Sequence, residues 1–318
     1  MSITKKHIKV SSGLAKRLSA GVGLKERYWE LYLIMLPALG FLFLFKYVPY
    51  GSIVIAFQDY NIFKGVFESK FVGLDNFHRA FTNPDFYRIL RNTIIINFVK
   101  MSLYIPLPII MALLINEVTQ LRLKRIVQTT LYLPHFLSWV IVAGLFSSLL
   151  SVNGGLVNQL IRAVGLKPIG FMFSNDYFRG VIVVSALWKE VGWGTIIYLA
   201  AIASVDPQMY EAAVIDGASK LRQIWSITLP TIIGTIVVVA LLSLGSILKN
   251  SFEQVFVMYN PAVYETADII NTYVYRHGVG QLEYSYTTAI GLFNGVVGFL
   301  LIIITNALSR KFFERSLW

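Results

Sequence analysis

Cysteine is absent from this sequence of 318 residues, and charged residues are scarce at 14%. The missing thiols exclude disulfides and thiolate metal sites. The low charge content excludes a soluble domain with an ordinary charged surface, because 56% of the residues are hydrophobic and the mean hydropathy is +0.63. Lipid is therefore the predicted solvent of most of the chain.

Several chemical signatures are also missing. No G-x-x-x-x-G-K-[ST] loop is present to cradle phosphates, and the four histidines show no H-E-x-x-H spacing. No nucleophile can be paired with a base by spacing. We therefore expect no catalytic residue, no metal and no cofactor bound by this chain.

The formal net charge of +11 could suggest a nucleic-acid partner. The lysines and arginines lie in short flanks of apolar stretches instead of one basic face, as the positive-inside rule produces in membrane proteins. We therefore expect the lipid bilayer, and no nucleic acid, as a partner.

Six stretches reach the length of about 20 mostly apolar residues that crosses a bilayer. We predict an all-α membrane protein whose domain, residues 30–308, has six transmembrane helices. The predicted spans are 31–57, 93–115, 127–150, 181–204, 231–248 and 288–308.

The distribution of lysine and arginine predicts the orientation. The segments 1–29, 117–126, 205–228 and 309–318 carry more of these residues than the longer segments between the other spans. Both termini are therefore predicted to be cytoplasmic, as basic tails 1–29 and 309–318. Residues 1–27 lack an apolar core followed by a cleavage site, which favours a retained tail over a signal peptide.

The predicted cytoplasmic loop 206–228 contains helix signals. Asp206 can cap a helix, Pro207 suits its first position, and Gly217 can end it in a left-handed turn. A second helical stretch should carry Lys220 and Arg222 and end near Pro230. The first helix could dock into another protein, with Glu211 as its charged anchor, or it could be an ordinary loop helix.

The spacing of this loop resembles the EAA signature of permease subunits in bacterial binding-protein-dependent ABC importers. Glu-Ala-Ala at 211–213 is followed by Gly217, Ile227 and Leu229-Pro230. The resemblance implies a type I ABC importer permease fold, in which this loop forms coupling helices that fit a cleft on a cytoplasmic ATPase. The implied coupling residues are Glu211, Ala212, Ala213, Asp216, Gly217, Ile227, Leu229 and Pro230.

The stretches 132–139 and 188–194 resemble the oligosaccharide branch of this family, closest to permeases for pectin- or alginate-derived chains. The implied setting is the bacterial cell membrane. The implied partners are a second permease in a heterodimer, two ATP-binding subunits that hold ATP and Mg, an extracytoplasmic solute-binding protein and an oligosaccharide. The sequence leaves open a homodimer and the identity of the sugar.

Charged and aromatic residues within the spans suggest a substrate path. Lysine is costly in lipid, and a functional role is the first hypothesis for Lys100 and for Lys189 beside Glu190. We hypothesise that these lysines offset carboxylates of a uronic-acid chain. His135 could hydrogen-bond a sugar, or it could be a satisfied histidine at a kink. Sugar rings would stack on Trp139, Trp188, Trp193 and Tyr198. Lys46 and Lys249 lie nearer span ends, from which they can also reach headgroups.

Two other functions would need chemical groups that a permease subunit does not. An ion-gradient-driven sugar carrier needs membrane acids that bind protons or sodium, and Glu190 is the one clear acid within a predicted span. A membrane-embedded enzyme needs clustered His, Asp or Glu near one interface, and the sequence has no such cluster. The ion-gradient carrier is the alternative that we retain.

Overall fold

The structure is a computed structural model that describes residues 29–313, with the side chains of 30, 244–250, 308 and 312–313 left out. The predicted tail 1–29 therefore lies outside the described residues except for Trp29, and so do residues 314–318 of the predicted C-terminal tail. The side chain of Lys249 also lies outside them. The chain divides into two units between Val54 and Ile55.

The first unit is helical throughout its described part. Helix α1, Trp29–Leu42, passes through a π-helical turn, Phe43–Tyr47, into a 3-10 stretch, Val48–Phe57, which crosses the unit boundary. Residues Leu31–Phe57 are long and apolar enough to span a membrane.

The second unit contains one short antiparallel hairpin and 14 described α-helices. In the hairpin, Gln58 pairs with Phe71 and Asp59 with Lys70. The elements are β1 (Gln58–Asp59), α2 (Gly65–Glu68), β2 (Lys70–Phe71), α3 (Asp75–Thr82), α4 (Pro84–Tyr104), α5 (Pro106–Asn116), α6 (Leu121–Tyr132), α7 (Trp139–Leu149), α8 (Leu156–Ala163), α9 (Asn175–Ala203), α10 (Pro207–Ile215), α11 (Lys220–Gln223), α12 (Leu229–Met258), α13 (Tyr264–Ala267), α14 (Ile270–Gly278) and α15 (Tyr284–Phe313).

The described helices agree with the predicted number of spans. Five stretches are long and apolar enough to cross a membrane, and a bent pair formed by Leu121–Phe136 and Trp139–Leu149 makes a sixth. The second span begins at Pro84 instead of residue 93, because Asn83 caps it by accepting a hydrogen bond from the Asp85 amide at 2.9 Å. Pro84 suits the first turn, where its missing N–H costs nothing.

The third span bends by 106° between Phe136 and Trp139. Because Pro134 cannot donate a backbone hydrogen bond, the α-helix gives way to a 3-10 turn over Leu133–Phe136. Ser138 then starts α7 by accepting a hydrogen bond from the Ile141 amide at 3.4 Å. The sequence predicted one continuous span here, and the break makes two shorter helices.

Helix α9 is central in the second unit and packs against α4, α5 and α12. Half of its most apolar stretch is buried, a larger share than in the other described spans. Phe178 and Ile182 anchor one core cluster, with Val255 of α12. Tyr198 and Ile202 anchor a second cluster near its other end.

Polar side chains tie α4 and α9 to the connection between α12 and α14 at one end of this unit, which we call the connector end. The buried Asn92 amide donates to the carbonyl oxygens of Glu265 and Asp268 at 2.9 and 3.1 Å. Its carbonyl oxygen accepts from the Arg179 guanidinium at 2.7 Å. At the other end, the coupling end, Lys220 pairs with Glu117 at 3.3 Å.

An ion pair at the connector end joins α3 to the start of α15. The Arg79 guanidinium donates to the Glu283 carboxylate and lies 4.3 Å from the centre of the Tyr286 ring. His277 contacts the other oxygen of Glu283 at 3.3 Å. Burial raises the pKa of Glu283, but the hydrogen bond and charge of Arg79 outweigh it, so this pKa lies below its ordinary value.

We predict a pH-dependent effect of Glu283→Gln. Because the folded-state pKa of Glu283 is lowered, its contribution to stability is present above its unfolded pKa, about 4.3, and is lost as the pH falls through the folded value. The melting temperature of the variant should therefore be lower than that of the wild type at pH 7, and the difference between the two temperatures should shrink below about pH 4. Thermal denaturation followed by circular dichroism across this range tests it.

Glu68→Gln is the control, because Glu68 is exposed and the structure records no ion pair for it. Its melting temperature should follow the wild type at each pH. A Glu283→Gln difference that stays constant from pH 7 to the acid limit would contradict the prediction.

Candidate functional site

The predicted helix of the coupling loop is confirmed. Asp206 caps α10 by accepting a hydrogen bond from the Gln208 amide at 2.9 Å, and Pro207 lies in the first turn. Gly217 has φ +71°, and the next amide, that of Ala218, donates back to the Ala213 carbonyl at 2.8 Å. This left-handed ending is the one that glycine adopts without strain.

The second helical stretch differs from the prediction. Helix α11 does not end near Pro230 but continues through a π-helical turn, Ile224–Thr228, into α12. In that turn the Leu229 amide donates to the Ile224 carbonyl, which shifts the hydrogen-bond register just before Pro230. The π-helical turn accommodates Pro230, which has no N–H to donate, so the helix continues instead of breaking.

The predicted coupling residues have two kinds of environment. Glu211, Ala212, Asp216, Gly217 and Pro230 are exposed, and Ala213 is half-buried. Ile227 and Leu229 pack against the core cluster that contains Tyr198. The last two therefore position the loop, and the others form its surface.

Large apolar side chains that the motif did not single out surround Glu211. They belong to α10, α11 and the π-helical turn, and all are exposed, Ile215 by 86%. Exposed apolar patches with a polar rim mark binding surfaces. We call Glu211 and these residues the coupling surface: Met209, Val214, Ile215, Leu221 and Trp225.

Three contacts fix the conformation and the position of this loop. The Tyr210 hydroxyl and the Thr228 hydroxyl are 2.9 Å apart, which links α10 to the start of α12. The buried Gln223 amide donates to the Ala218 carbonyl at 3.0 Å. With the pair between Lys220 and Glu117, these contacts border a groove of about 430 Å³.

Sequence reasoning missed Tyr210, Gln223, Thr228 and Glu117. Tyr210 directly precedes the motif, and Thr228 lies inside it. Their pairing depends on how two helices cross, which sequence spacing does not reveal. Glu117 comes from a different connection altogether.

The structure brings five of the eight predicted path residues together between α9 and the break in the third span. The His135 ring stacks on Trp193, with centroids 4.6 Å apart, and its Nδ1 lies 2.8 Å from the Glu190 carboxylate. The Lys189 ammonium lies 3.6 Å from that carboxylate and 5.5 Å from the centre of the Trp139 ring.

Lys189 is buried and provides a hydrogen-bond donor at the break in the third span. Its ammonium donates to the His135 carbonyl at 2.6 Å, next to the helix break. A carbonyl freed at such a break needs a partner, because lipid supplies none. Lys189 therefore has a structural partner and a neighbouring acid. Its charge is matched within the protein, whereas the sequence hypothesis took it as unmatched.

Lys100 lies between α4 and α12, close enough to Glu190 for an electrostatic interaction but without a recorded hydrogen bond to it. Its ammonium donates to Ser251 at 3.1 Å and to Gln254 at 2.8 Å, and both partners are neutral. Ser251 donates to Asn97, whose buried side-chain NH₂ group has no partner in the described structure. This cluster combines a cation with amide donors, which are groups that bind carboxylates.

The remaining predicted path residues lie elsewhere. Trp188 is 41% exposed and meets Phe146 edge-on, with centroids 5.9 Å apart. Tyr198 is fully buried among apolar neighbours near the coupling end, so neither face of its ring is open in this structure. Lys46 is exposed in the first unit. Among the described residues no group of three His, Cys, Asp or Glu could hold a metal ion.

Comparison with known proteins identifies related sequences. Residues 104–314 match the family model described as binding-protein-dependent transport system inner membrane component. The polygalacturonan/rhamnogalacturonan transport system permease protein YteP of Bacillus subtilis (strain 168) is 46% identical over 295 residues, 93% of this chain and 91% of that protein. Protein LplB of the same strain is 45% identical over 303 residues, 95% of each chain.

Solved structures also resemble this chain. A chain of a bacterial ABC transporter involved in the import of the acidic polysaccharide alginate superposes with a TM-score of 0.84 and 38% identity, over 94% of this chain and 99% of that chain. A chain of a bacterial alginate transporter in complex with a pentasaccharide-bound periplasmic protein has a TM-score of 0.85 and the same identity, over 92% and 98%.

We predict that Gly192→Ala disrupts the packing of α9 against Leu131, next to the residues that contact His135. A Cβ at Gly192 would overlap the Leu131 backbone carbonyl, and backbone cannot move aside as a flexible side chain can. Overpacking of this kind costs about 1–3 kcal/mol. Thermal denaturation of the purified protein should show a lower midpoint than the wild type.

Gly180→Ala on the same helix is the matched control, because a Cβ there meets nothing within 4 Å. It should leave the midpoint unchanged or raise it, since alanine favours helix by about 1 kcal/mol over glycine. Equal midpoints for the two variants would refute the close approach of α9 to Leu131.

Proposed function

The chain belongs to the family of binding-protein-dependent transport system inner membrane components, and on that premise we propose how it joins a sugar path to a separate ATPase. It is a multi-pass membrane permease subunit of an ABC importer for oligosaccharides. It is not an enzyme, and ATP is hydrolysed by a different subunit. The resemblance found in the sequence is confirmed, and the family and its relatives do not support an ion-gradient carrier.

The importer works with a solute-binding protein. Our proposal for the rest of the assembly is a heterodimer with a second permease and two ATP-binding subunits that hold ATP and Mg. The coupling end and both termini lie in the cytoplasm of a bacterial cell, and the connector end faces the solute-binding protein. The distribution of lysine and arginine supports this orientation.

Coupling begins at the exposed surface of α10. Its apolar residues Val214 and Ile215 can be buried in a groove of the ATPase, while Glu211 provides a charged anchor. The hydroxyl contact between Tyr210 and Thr228 passes a displacement of α10 to the start of α12. Docking at this surface is therefore coupled mechanically to a membrane helix.

Helix α12 carries the observation that supports the proposal best. It is one helix of 30 residues that begins at the coupling loop and contains, near its other end, the Ser251 and Gln254 partners of Lys100. A shift or rotation of α12 changes what surrounds this ammonium. The ATPase end and a cation in the membrane are thus connected by one continuous helix.

The substrate is proposed to be an acidic oligosaccharide that contains uronic acid. A polygalacturonan/rhamnogalacturonan permease and an alginate importer are among the similar proteins. Lys100 contacts neutral partners, so a carboxylate of the passing chain can approach it without displacing an acid. Trp193, 44% exposed and stacked on His135, can offer a ring face to sugars.

We predict that Glu211→Ala uncouples transport from ATP hydrolysis. The loss of a central charged anchor in an interface typically costs 2 kcal/mol or more, so stimulation of the ATPase by substrate-loaded binding protein should fall about tenfold or more. The measurement is ATP hydrolysis by the co-purified complex in liposomes, with and without binding protein.

Arg125→Ala is the control, since Arg125 is an exposed charged residue of α6 that lies outside the coupling loop. It should retain most of the stimulation. Full stimulation of the Glu211→Ala complex, or uptake that persists without ATP, would overturn the coupling proposal.

We also predict that Lys100→Gln selectively impairs acidic substrates. Loss of a charge-assisted hydrogen bond worth about 1.5–3 kcal/mol should lower uptake of a galacturonate or alginate oligosaccharide about tenfold or more. Uptake of a neutral oligosaccharide should change little. Transport into liposomes with labelled acidic and neutral chains of equal length measures the ratio.

Lys167→Gln, an exposed lysine in the connection before α9, is the control. It should leave both substrates unaffected. An equal loss for acidic and neutral chains in Lys100→Gln would sink the assignment of Lys100 to carboxylate recognition, while leaving the coupling proposal intact.

A further inference from the structure

The hairpin that spans Gln58–Phe71 at the connector end exposes two phenyl rings and buries two polar side chains. Phe63 is 96% exposed and Phe67 101% exposed, whereas Gln58 and Ser69 are buried. A loop that faces water turns its phenyl rings inward and its polar side chains outward. The two phenyl rings are therefore available to an apolar surrounding.

This arrangement is held by the hairpin itself. The buried Gln58 amide donates to the Val66 carbonyl at 2.9 Å, and the Ser69 hydroxyl donates to the Gly65 carbonyl at 2.5 Å. The Asn61 backbone N–H donates to the Ser69 hydroxyl at 3.1 Å. The polar groups thus form the interior, and the phenyl rings cannot collapse into it.

The position of the hairpin along the membrane normal follows from its contacts with the last span. The Tyr60 amide donates to the Ser285 hydroxyl at 2.8 Å, and the Tyr60 ring meets the Tyr284 ring edge-on at 6.0 Å. Tyr284 begins α15, which spans the membrane. The hairpin therefore lies beside the first residues of the last apolar span.

We propose that the hairpin is a lipid anchor whose Phe63 and Phe67 rings insert between phospholipid headgroups at the connector end. Exposed aromatic residues beside charged ones are typical of chain segments at the membrane interface. Lys64 and Lys70 can reach phosphate groups, and the exposed Asp59 and Glu68 can meet the cationic part of zwitterionic headgroups. The anchor restrains the start of α4 through α3 while the spans move.

The absence of native cysteine allows a direct test. Phe63→Cys and Phe67→Cys, each labelled with the fluorophore NBD, are assembled into the full complex in phosphatidylcholine–phosphatidylglycerol nanodiscs. Quenching is compared for nitroxide lipids labelled near the headgroup and for aqueous iodide. Asn153→Cys, labelled in the exposed turn between α7 and α8, is the control for a water-exposed site and for the affinity of the probe itself.

We expect the nitroxide lipid to remove most of the emission at both hairpin positions and iodide to remove little, with no binding protein present. The control should show the reverse. An absence of lipid quenching overturns the proposal. Protection from iodide that appears only with substrate-loaded binding protein would mean a docking surface for that protein, and protection without lipid quenching would mean contact with the second permease.

Discussion

Lipid offers no hydrogen-bond partner to a peptide group, and most of this structure follows from that constraint. The spans are helices because helices satisfy their own backbone. Where a helix is interrupted, side chains replace the missing partners. At the break in the third span, Lys189 donates to the His135 carbonyl and Ser138 caps α7. The π-helical turn before Pro230 instead changes the hydrogen-bond register and avoids a break.

The same constraint gives the lysines within the spans different environments. Lys189 is held by a backbone carbonyl and lies beside Glu190, so its charge is compensated within the protein. Lys100 contacts only neutral side chains among its recorded hydrogen bonds. A cation with neutral partners remains available to an anionic ligand, which is why the acidic-substrate proposal rests on Lys100.

Helix α12 connects the two regions that a transporter must couple. Its first turn is joined to α10 by Thr228 and Tyr210, and its far half supplies Ser251 and Gln254. At the connector end, by contrast, Asn92 and the pair of Arg79 with Glu283 tie several connections into one layer. Under the proposed function α12 moves relative to this layer, as in rigid-body gating.

The sequence by itself determined the helical membrane class, the number of spans, the cap and glycine ending of α10 and the family. It could do so because hydropathy, helix signals and the spacing from Glu211 to Pro230 are local or linear properties of the chain. Only the tertiary structure decided that the third span bends, that Lys189 serves a carbonyl, and that Tyr198 is enclosed while Trp193 is open. It also revealed that Tyr210, Thr228 and Glu117 take part in the contacts that hold the coupling loop. Each of these depends on which helix faces which across the bundle, and residues far apart in the chain carry no spacing signal of that contact.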